Sequence, residues 1–315
     1  MNVAVVGAGV AGLMAARALT DAGHQVVVFD KGRGPGGRLA TRRIEGARLD
    51  HGAQFFTVRS DEFGRFVQQW QRDGLVHEWC RGFAGEHDGY PRYMVRGGMN
   101  ALAKHIAQPL DVRCNALVFS LHRDVDGHSW TVKLDDGTVT THDALIITCP
   151  LPQTFSLLTT ADITMPESLW RTDYDRTLVL LLVLDGDSAV PAPGGVQDAP
   201  GFTFVGDNRA KGISDVPALT LHADPSWSAA HWDDDPAHAM QLLETLAAPY
   251  VGDATIVARQ LKRWRFATPT SIWPDAHWSP ADDPSLAVAG DAFAGPRVEG
   301  AALSGLSAAA ALKAG

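Results

Sequence analysis

The chain has 315 residues, with 27 basic and 36 acidic side chains, a formal net charge of -9, and 45% hydrophobic and 20% charged residues. This is an ordinary globular composition, which argues against disorder and fibrous structure, and the length predicts about two domains with a large core. The acidic balance and the lack of a basic run argue against sequence-independent nucleic-acid binding. Arg outnumbers Lys 21 to 6, which favours forked recognition of a small phosphate- or carboxylate-bearing ligand.

Residues Asn2 to Val6 (NVAVV) predict a short buried strand. Gly7-Ala8-Gly9-Val10-Ala11-Gly12 follows as a GxGxxG. Val10 to Asp21 predicts a helix, with Ala11, Met14, Ala15, Ala18 and Leu19 on one face and Gly23 as its stop. Gln25 to Phe29 (QVVVF) predicts a second strand, ending at Asp30, 18 residues past Gly12. Strand, glycine turn, helix, strand and acid in this order are a dinucleotide-binding βαβ unit. Gly7 permits the tight turn, Gly9 the approach of a pyrophosphate, and Gly12 close helix packing. The helix N-terminus offers unpaired N–H groups to phosphate, and the acid can reach ribose hydroxyls. The apolar stretch Val3 to Leu19 is too short and too glycine-rich for a membrane span, and no secretion signal is expected.

Lys31 to Arg42 (KGRGPGGRLATR) supplies a second glycine-rich loop, with Gly36, Gly37 and Arg38 as a candidate phosphate cradle. Leu49 to Thr57 (LDHGAQFFT) follows, where Gly52 permits close approach to a flat ring and Gln54 offers an amide. Val112 to Leu121 and Trp130 to Leu134 predict strands, with Asp135-Asp136-Gly137 as a hairpin turn. Ala144 to Thr148 (ALIIT) is a further strand, and Thr177 to Leu184 (TLVLLLVL), Leu219 to Ala223 and Ile256 to Phe266 are three more. Trp227 to about Pro249 predicts a helix. Leu286 to Ala289 predicts the last strand, then Gly290-Asp291, and an Ala-rich helix runs to about Lys313. Cys80, Cys114 and Cys149 form no CxxC, so neither a disulfide framework nor a zinc site is expected. The run Asp233-Asp234-Asp235 is read as a solvated surface, and no metal is expected.

The glycine-rich GGR-x-x-T stretch, the LDHGAQFFT segment and the Gly290-Asp291 pair resemble the amine-oxidase-like FAD superfamily. LDHGAQFFT, YMVRGGMNALAKHIA, LHADPSWSAAHW, KRWRFATP and GPRVEGAALSGLSAAAAL together resemble the bacterial renalase-type flavoproteins over essentially the whole chain. The resemblance implies an α/β fold: a Rossmann-like FAD-binding domain (1–57, 106–150 and 281–315) interleaved with an α+β substrate domain (58–105 and 151–280). The topology implied is that of p-hydroxybenzoate hydroxylase and the amine oxidases.

It also implies non-covalent FAD, since no cysteine follows Cys149 to make a C-terminal thioether. The implied cofactor contacts are Gly7, Gly9, Val10, Ala11, Gly12, Asp30, Lys31, Gly36, Gly37, Arg38, His51, Gly52, Ala53, Gln54, Val118, Gly290, Asp291, Glu299, Gly300 and Ala301. Val118 would meet adenine through its backbone, and Asp30 stands where many relatives have glutamate. The implied activity is oxidation of isomeric dihydronicotinamides, 1,2- or 1,6-dihydro-NAD(P), with hydride to flavin N5 and O2 reduced to H2O2. An amine oxidase or desaturase of the same superfamily is the alternative, for which Lys262 is the one lysine in a suitable strand. A flavin-binding protein without turnover, or a reductase that rejects O2, is a third class. No catalytic residue is assigned; the substrate-pocket candidates are His51, Gln54, Tyr93, Arg96, Trp264 and Arg297. His222 and His231 are expected at the surface or in packing. The expected partners are a small-molecule substrate and O2, with no nucleic acid and no membrane, in the cytoplasm.

Overall fold

The computed structural model describes residues 1–83, 89–124, 129–293 and 295–314. In chain order its elements begin with β1 (Asn2–Val6), α1 (Val10–Asp21), β2 (Gln25–Phe29), β3 (Thr41–Ile44), β4 (Ala47–Asp50) and α2 (Asp61–Arg72). Next come β5 (Val76–Cys80), β6 (Arg92–Val95), α3 (Asn100–Ala107), β7 (Asp111–Arg113), β8 (Val118–Arg123) and β9 (Trp130–Leu134). They continue with β10 (Val139–His142), β11 (Ala144–Ile147), α4 (Leu151–Thr159), α5 (Glu167–Trp170), β12 (Thr177–Leu184) and β13 (Gly195–Ala199). The last are β14 (Phe202–Asp207), β15 (Ala218–Ala223), α6 (Pro225–Ala230), α7 (Pro236–Val251), β16 (Ile256–Trp264), β17 (Leu286–Val288) and α8 (Val298–Ala314).

The chain forms two compact units. The first comprises Met1–Gly37, Ala103–Asp173 and Thr268–Gly315, and the second Arg38–Leu102 and Tyr174–Ala267. The bounds differ from those expected of a nucleotide domain and an insert. Residues 38–57 fold with the second unit, where the Asp50 side chain is bonded to Lys211 and Met99. Residues 151–173 and 268–280 fold with the first: Thr160 bonds Leu121 beyond α4, and Trp278 bonds Val288 of β17.

In the first unit a five-stranded sheet runs in the order β17-β11-β1-β2-β7, every pair parallel. Such a sheet is covered on both faces, so its strands read as unbroken apolar runs such as NVAVV and ALII. The strand order reverses at β1, which has β2 on one side and β11 on the other. In open α/β sheets ligands bind outside the carboxyl ends at that point. Helices α1 and α8 pack at backbone distance, since a Cβ on Gly305 would lie 2.0 Å from the Ala11 carbonyl oxygen. A three-stranded antiparallel sheet, β10-β9-β8, completes this unit, with Trp130 fully buried.

The second unit is built on an antiparallel sheet ordered β13-β14-β15-β12-β16. Strand β12 explains its own sequence. Leu178, Leu180, Leu182 and Leu184 face a cluster with Leu243, Ala247 and Val251 of α7. Val179, Leu181 and Val183 face Ala47 and Leu49 of the β3–β4 hairpin. Both faces are covered, so the strand is apolar throughout.

Two expected elements divide. Val112 to Leu121 is two strands, β7 and β8, because Asn115 takes a left-handed conformation (φ 53) and breaks the extended run. The helix expected over Trp227 to Pro249 is α6 and α7. Asp235 caps a new helix by accepting from the Ala237 and His238 amides, with Pro236 at its first position.

Candidate functional site

The first unit presents glycines where the chain leaves β1. Gly7 has φ +109, and a Cβ there would lie 2.6 Å from Thr148 Oγ1. Gly12 is closed off in the same way, its Cβ position being 1.9 Å from the Gly7 carbonyl oxygen. Gly9 is the opposite case: nothing lies within 4 Å of its Cβ position. Gly9 is also the N-cap of α1, where no side-chain cap bonds the first-turn N–H groups of Val10, Ala11 and Gly12. This is the cradle that a pyrophosphate fits, with helix-end partial charge behind it. The second glycine loop folds onto the first. Gly36 N–H donates to Ala8 O at 2.8 Å, and the Gly37 Cβ position is 3.4 Å from Gly9 Cα. Asp30 accepts from the Ala8 and Gly32 amides, both at 2.6 Å. Lys31 is exposed, and Val118 is buried at the start of β8.

The C-terminal elements of this unit fold as tightly. Gly290 (φ +149) donates its N–H to Ser304 Oγ of α8 at 2.9 Å, and Asp291 follows it, buried. A Cβ on Gly300 would lie 2.2 Å from Gly295 O, so α8 starts pressed against the loop before it. Glu299 is buried in the first turn of α8, beside Ala301. Arg297, a pocket candidate, is exposed just before α8.

The second unit gathers His51, Gln54 and Trp264. Residues 51–53 run beside 38–40: His51 N–H donates to Ala40 O at 3.0 Å, and Ala53 N–H to Arg38 O at 2.8 Å. Gly52 has to be glycine, because its Cβ position is 1.9 Å from Arg38 O. Arg38 belongs to this unit, where its Nη1 donates to Ala267 O at 3.1 Å and its guanidinium lies over Tyr174. The Trp264 indole stacks on His51 at 5.3 Å between centroids, and its Nε1–H donates to His51 O at 2.6 Å.

Burial, with the Lys262 ammonium and the Arg42 guanidinium nearby, lowers the His51 pKa to about 4. His222 is lowered to about 3, first by burial and then by His51 and Lys211. Both imidazoles are therefore neutral at physiological pH. Gln54 Nε2 donates to Asp50 O at 2.6 Å and lies 3.4 Å from His222 Nε2. Two buried polar atoms in this cluster, His51 Nδ1 and Gln54 Oε1, have no hydrogen-bond partner among the described residues.

The cluster rests on a buried ion pair. Lys211 Nζ donates to Asp50 Oδ2 at 2.6 Å, with both side chains fully buried. Asp50 Oδ1 accepts from Thr41 Oγ1–H and from Met99 N–H. Burial lowers the Lys211 pKa, and Asp50 opposes that shift.

Two further pocket candidates have other surroundings. Tyr93 stacks on Phe56, and Arg96 is exposed just after β6. Arg92 is instead the buried arginine of this region, its guanidinium over Phe55 and Phe83. His222, expected at the surface or in packing, is packed into the His51–Gln54 cluster, because it alternates with Leu219 and Leu221 on β15 and faces the other way, as Thr220 does. That period-two signal is visible in LTLHA. His231 is half-buried against Asp234. Lys262 shares its face of β16 with Gln260 and Trp264, and Gln260 Oε1 accepts from Arg42 Nε at 3.1 Å. No cluster of three or more metal-ligating side chains occurs among the described residues. No helix among them is long and apolar enough to cross a membrane.

Comparison with known proteins agrees with this geometry. The family described as an NAD(P)-binding Rossmann-like domain matches residues 5–70, and flavin containing amine oxidoreductase matches residues 63–172. Putrescine oxidase of Kocuria rosea is 40% identical over 80 residues, covering 23% of this chain and 17% of that protein. The matched stretches span a quarter or less of the length of the curated relatives. In fold the likeness extends over essentially the whole chain. A structure of putrescine oxidase bound to putrescine superposes with a TM-score of 0.76 at 17% identity, covering 100% of both chains. Cyclohexylamine oxidase from Brevibacterium oxydans IH-35A gives 0.75 at 14% identity, covering 99% of this chain and 98% of that one. The fold is thus a Rossmann-like FAD-binding domain within the amine oxidase architecture, and the cofactor is FAD.

Proposed function

We propose that this chain, which belongs to the flavin-containing amine oxidoreductase superfamily, oxidises a small molecule at a carbon bonded to nitrogen, in the manner of a flavin amine oxidase. Bound FAD supplies the two-electron chemistry, accepting a hydride and passing the electrons to O2. In the first unit the N–H groups of Val10, Ala11 and Gly12, around open Gly9, would hold the pyrophosphate, with Gly36 and Gly37 beside them. Gly290, Asp291, Glu299, Gly300 and Ala301 would hold the ribityl and ring end, and the Val118 backbone the adenine.

The observation that carries the substrate reading is the charge around His51. A neutral imidazole stands there with two cations, Lys262 and Arg42, close enough to lower its pKa. A positive field disfavours an ammonium and favours the free base. Only the free base has the nitrogen lone pair that drives hydride loss from the adjacent carbon. Trp264 supplies an aromatic wall, and Gln54 Oε1 an acceptor awaiting a donor.

The same observation supports a second, finer reading, a dihydronicotinamide dinucleotide as substrate. Its phosphates are anionic and suit Lys262 and Arg42, and its carboxamide N–H suits Gln54 Oε1. It too loses hydride from a ring carbon conjugated with nitrogen.

Anaerobic rapid mixing of the yellow protein with an amine panel, 1,2- and 1,6-dihydro-NAD(P) and ordinary NADH tests both readings. The readout is loss of the visible flavin band. The first reading expects bleaching by an amine, faster as pH rises and the free base accumulates, with peroxide on admitting air. Bleaching by a dihydro isomer alone selects the second. Bleaching by neither class refutes the proposal.

A further inference from the structure

The Asp30 carboxylate is already engaged by the protein itself. Its Oδ2 accepts the Ala8 amide of the first glycine loop, and its Oδ1 accepts the Gly32 amide of the second, each at 2.6 Å. Around it the backbone is pinned on both sides. Gly7 N–H donates to Phe29 O, Asp30 N–H to Arg113 O, Ala116 N–H to Asp30 O, and Asn115 N–H to Gly32 O. Room at the contact is small, since a Cβ on Gly32 would lie 2.8 Å from Asp30 Oδ1. Two short bonds from backbone N–H groups to one carboxylate are of the strong, charge-assisted kind.

We infer that Asp30 is a positioning residue: it staples the two glycine loops together and so presets the pyrophosphate cradle before the nucleotide arrives. The inference rests on FAD binding in the first unit but goes beyond the ribose contact expected of an acid at this place. It also accounts for the residue type. Glutamate, one methylene longer, suits a ribose further out; aspartate matches two amides that lie close to its own backbone. Asparagine cannot take its place, because the two amides bond different oxygens, and one of those positions would become an NH2 donor facing an N–H donor.

The test uses the full-length protein, with and without FAD. Asp30→Asn, Asp30→Glu and Gly32→Ala are compared with the parent by thermal melting, by hydrogen exchange at the Ala8 and Gly32 amides, and by FAD titration of the flavin-free form. The staple expects all three variants to lose amide protection and melting temperature without FAD. It also expects FAD to bind roughly tenfold or more weakly, the scale of losing a hydrogen bond to a charged group. An Asp30→Glu protein that keeps its flavin-free protection and melting temperature and binds FAD as well as the parent would overturn the staple. Failure of the parent itself to bind FAD would instead refute the cofactor assignment, so the two failures are distinguishable.

Discussion

Replacing Lys211 by Met tests the support beneath the candidate site. The thioether side chain fills nearly the space of the lysine stem, so the change removes a charge without opening a large cavity. What remains is the Asp50 carboxylate, fully buried, its Lys211 partner at 2.6 Å gone. Removing one member of a buried pair destabilises by about 3–5 kcal/mol, mostly through the uncompensated charge left behind. Asp50 keeps Thr41 Oγ1–H and the Met99 amide as donors, which places the loss near the lower end, about 3 kcal/mol. At roughly 2–4 °C per kcal/mol, the midpoint falls by roughly 6–12 °C. The double variant Lys211→Met with Asp50→Asn removes both charges and should recover at least half of that. Thermal melting at one fixed FAD concentration is the assay, because bound ligand adds stability by mass action. A single variant within about 1 kcal/mol of the parent, or a double variant no better than the single, would refute the charge argument. Function should follow stability here, since Asp50 O accepts from both Gln54 Nε2 and Thr220 Oγ1.

Two further outcomes are expected. Burial holds His51 down to about 4 and His222 down to about 3 in the folded protein, below the ordinary imidazole value of about 6.5. Below about pH 6.5 the unfolded chain therefore binds protons that the folded chain refuses, so stability falls as pH drops from about 6.5 toward 4 and is level above. Melting temperatures measured between pH 4.5 and 8 should show this slope, shallower in His222→Gln, and an unchanged slope would count against burial as the cause. Gly52→Ala should lower the melting temperature, because its Cβ would lie 1.9 Å from Arg38 O and push residues 51–53 away from 38–40. A Gly52→Ala protein as stable as the parent would show that this approach is dispensable.

The legible parts of the sequence are those whose physics is local. The β1–α1–β2 unit follows from an apolar run, three glycines, a helical period and an acid, all within thirty residues. Gly290-Asp291 and the start of α8 follow from glycines that the backbone contacts at Gly295 and Gly300 require. The single helix expected over Trp227 to Pro249 misses the break at Asp235-Pro236, although an N-cap acid before a first-turn proline marks a helix start. The Asp50–Lys211 pair was not legible. Its members are 161 residues apart, and a lone lysine in a turn carries no local sign that it will be buried. Arg92 and Arg96 illustrate the same limit: four residues apart in one segment, one is buried among aromatic rings and the other exposed.

This difference explains why the cofactor was easier to read than the substrate. The proposed cofactor contacts are largely backbone amides, and backbone geometry is written in glycines. The proposed substrate groups are side chains from separate segments: Gln54 and His51 after β4, His222 on β15, and Lys262 and Trp264 on β16. Their placement depends on strand register. Val179 of β12 lies opposite both His222 of β15 and Lys262 of β16, which sets these two residues at the same level on one face of the sheet. A slip of one residue in either pairing would turn that side chain to the opposite face. The register is held by β12, whose side chains are apolar on both faces and carry no chemistry of their own. In the proposed site, placement of the substrate groups therefore rests on a strand whose own side chains are buried against α7 on one face and the β3–β4 hairpin on the other. Substitutions in β12 that preserve volume should leave activity intact, while those that shift its register should change specificity before they abolish FAD binding.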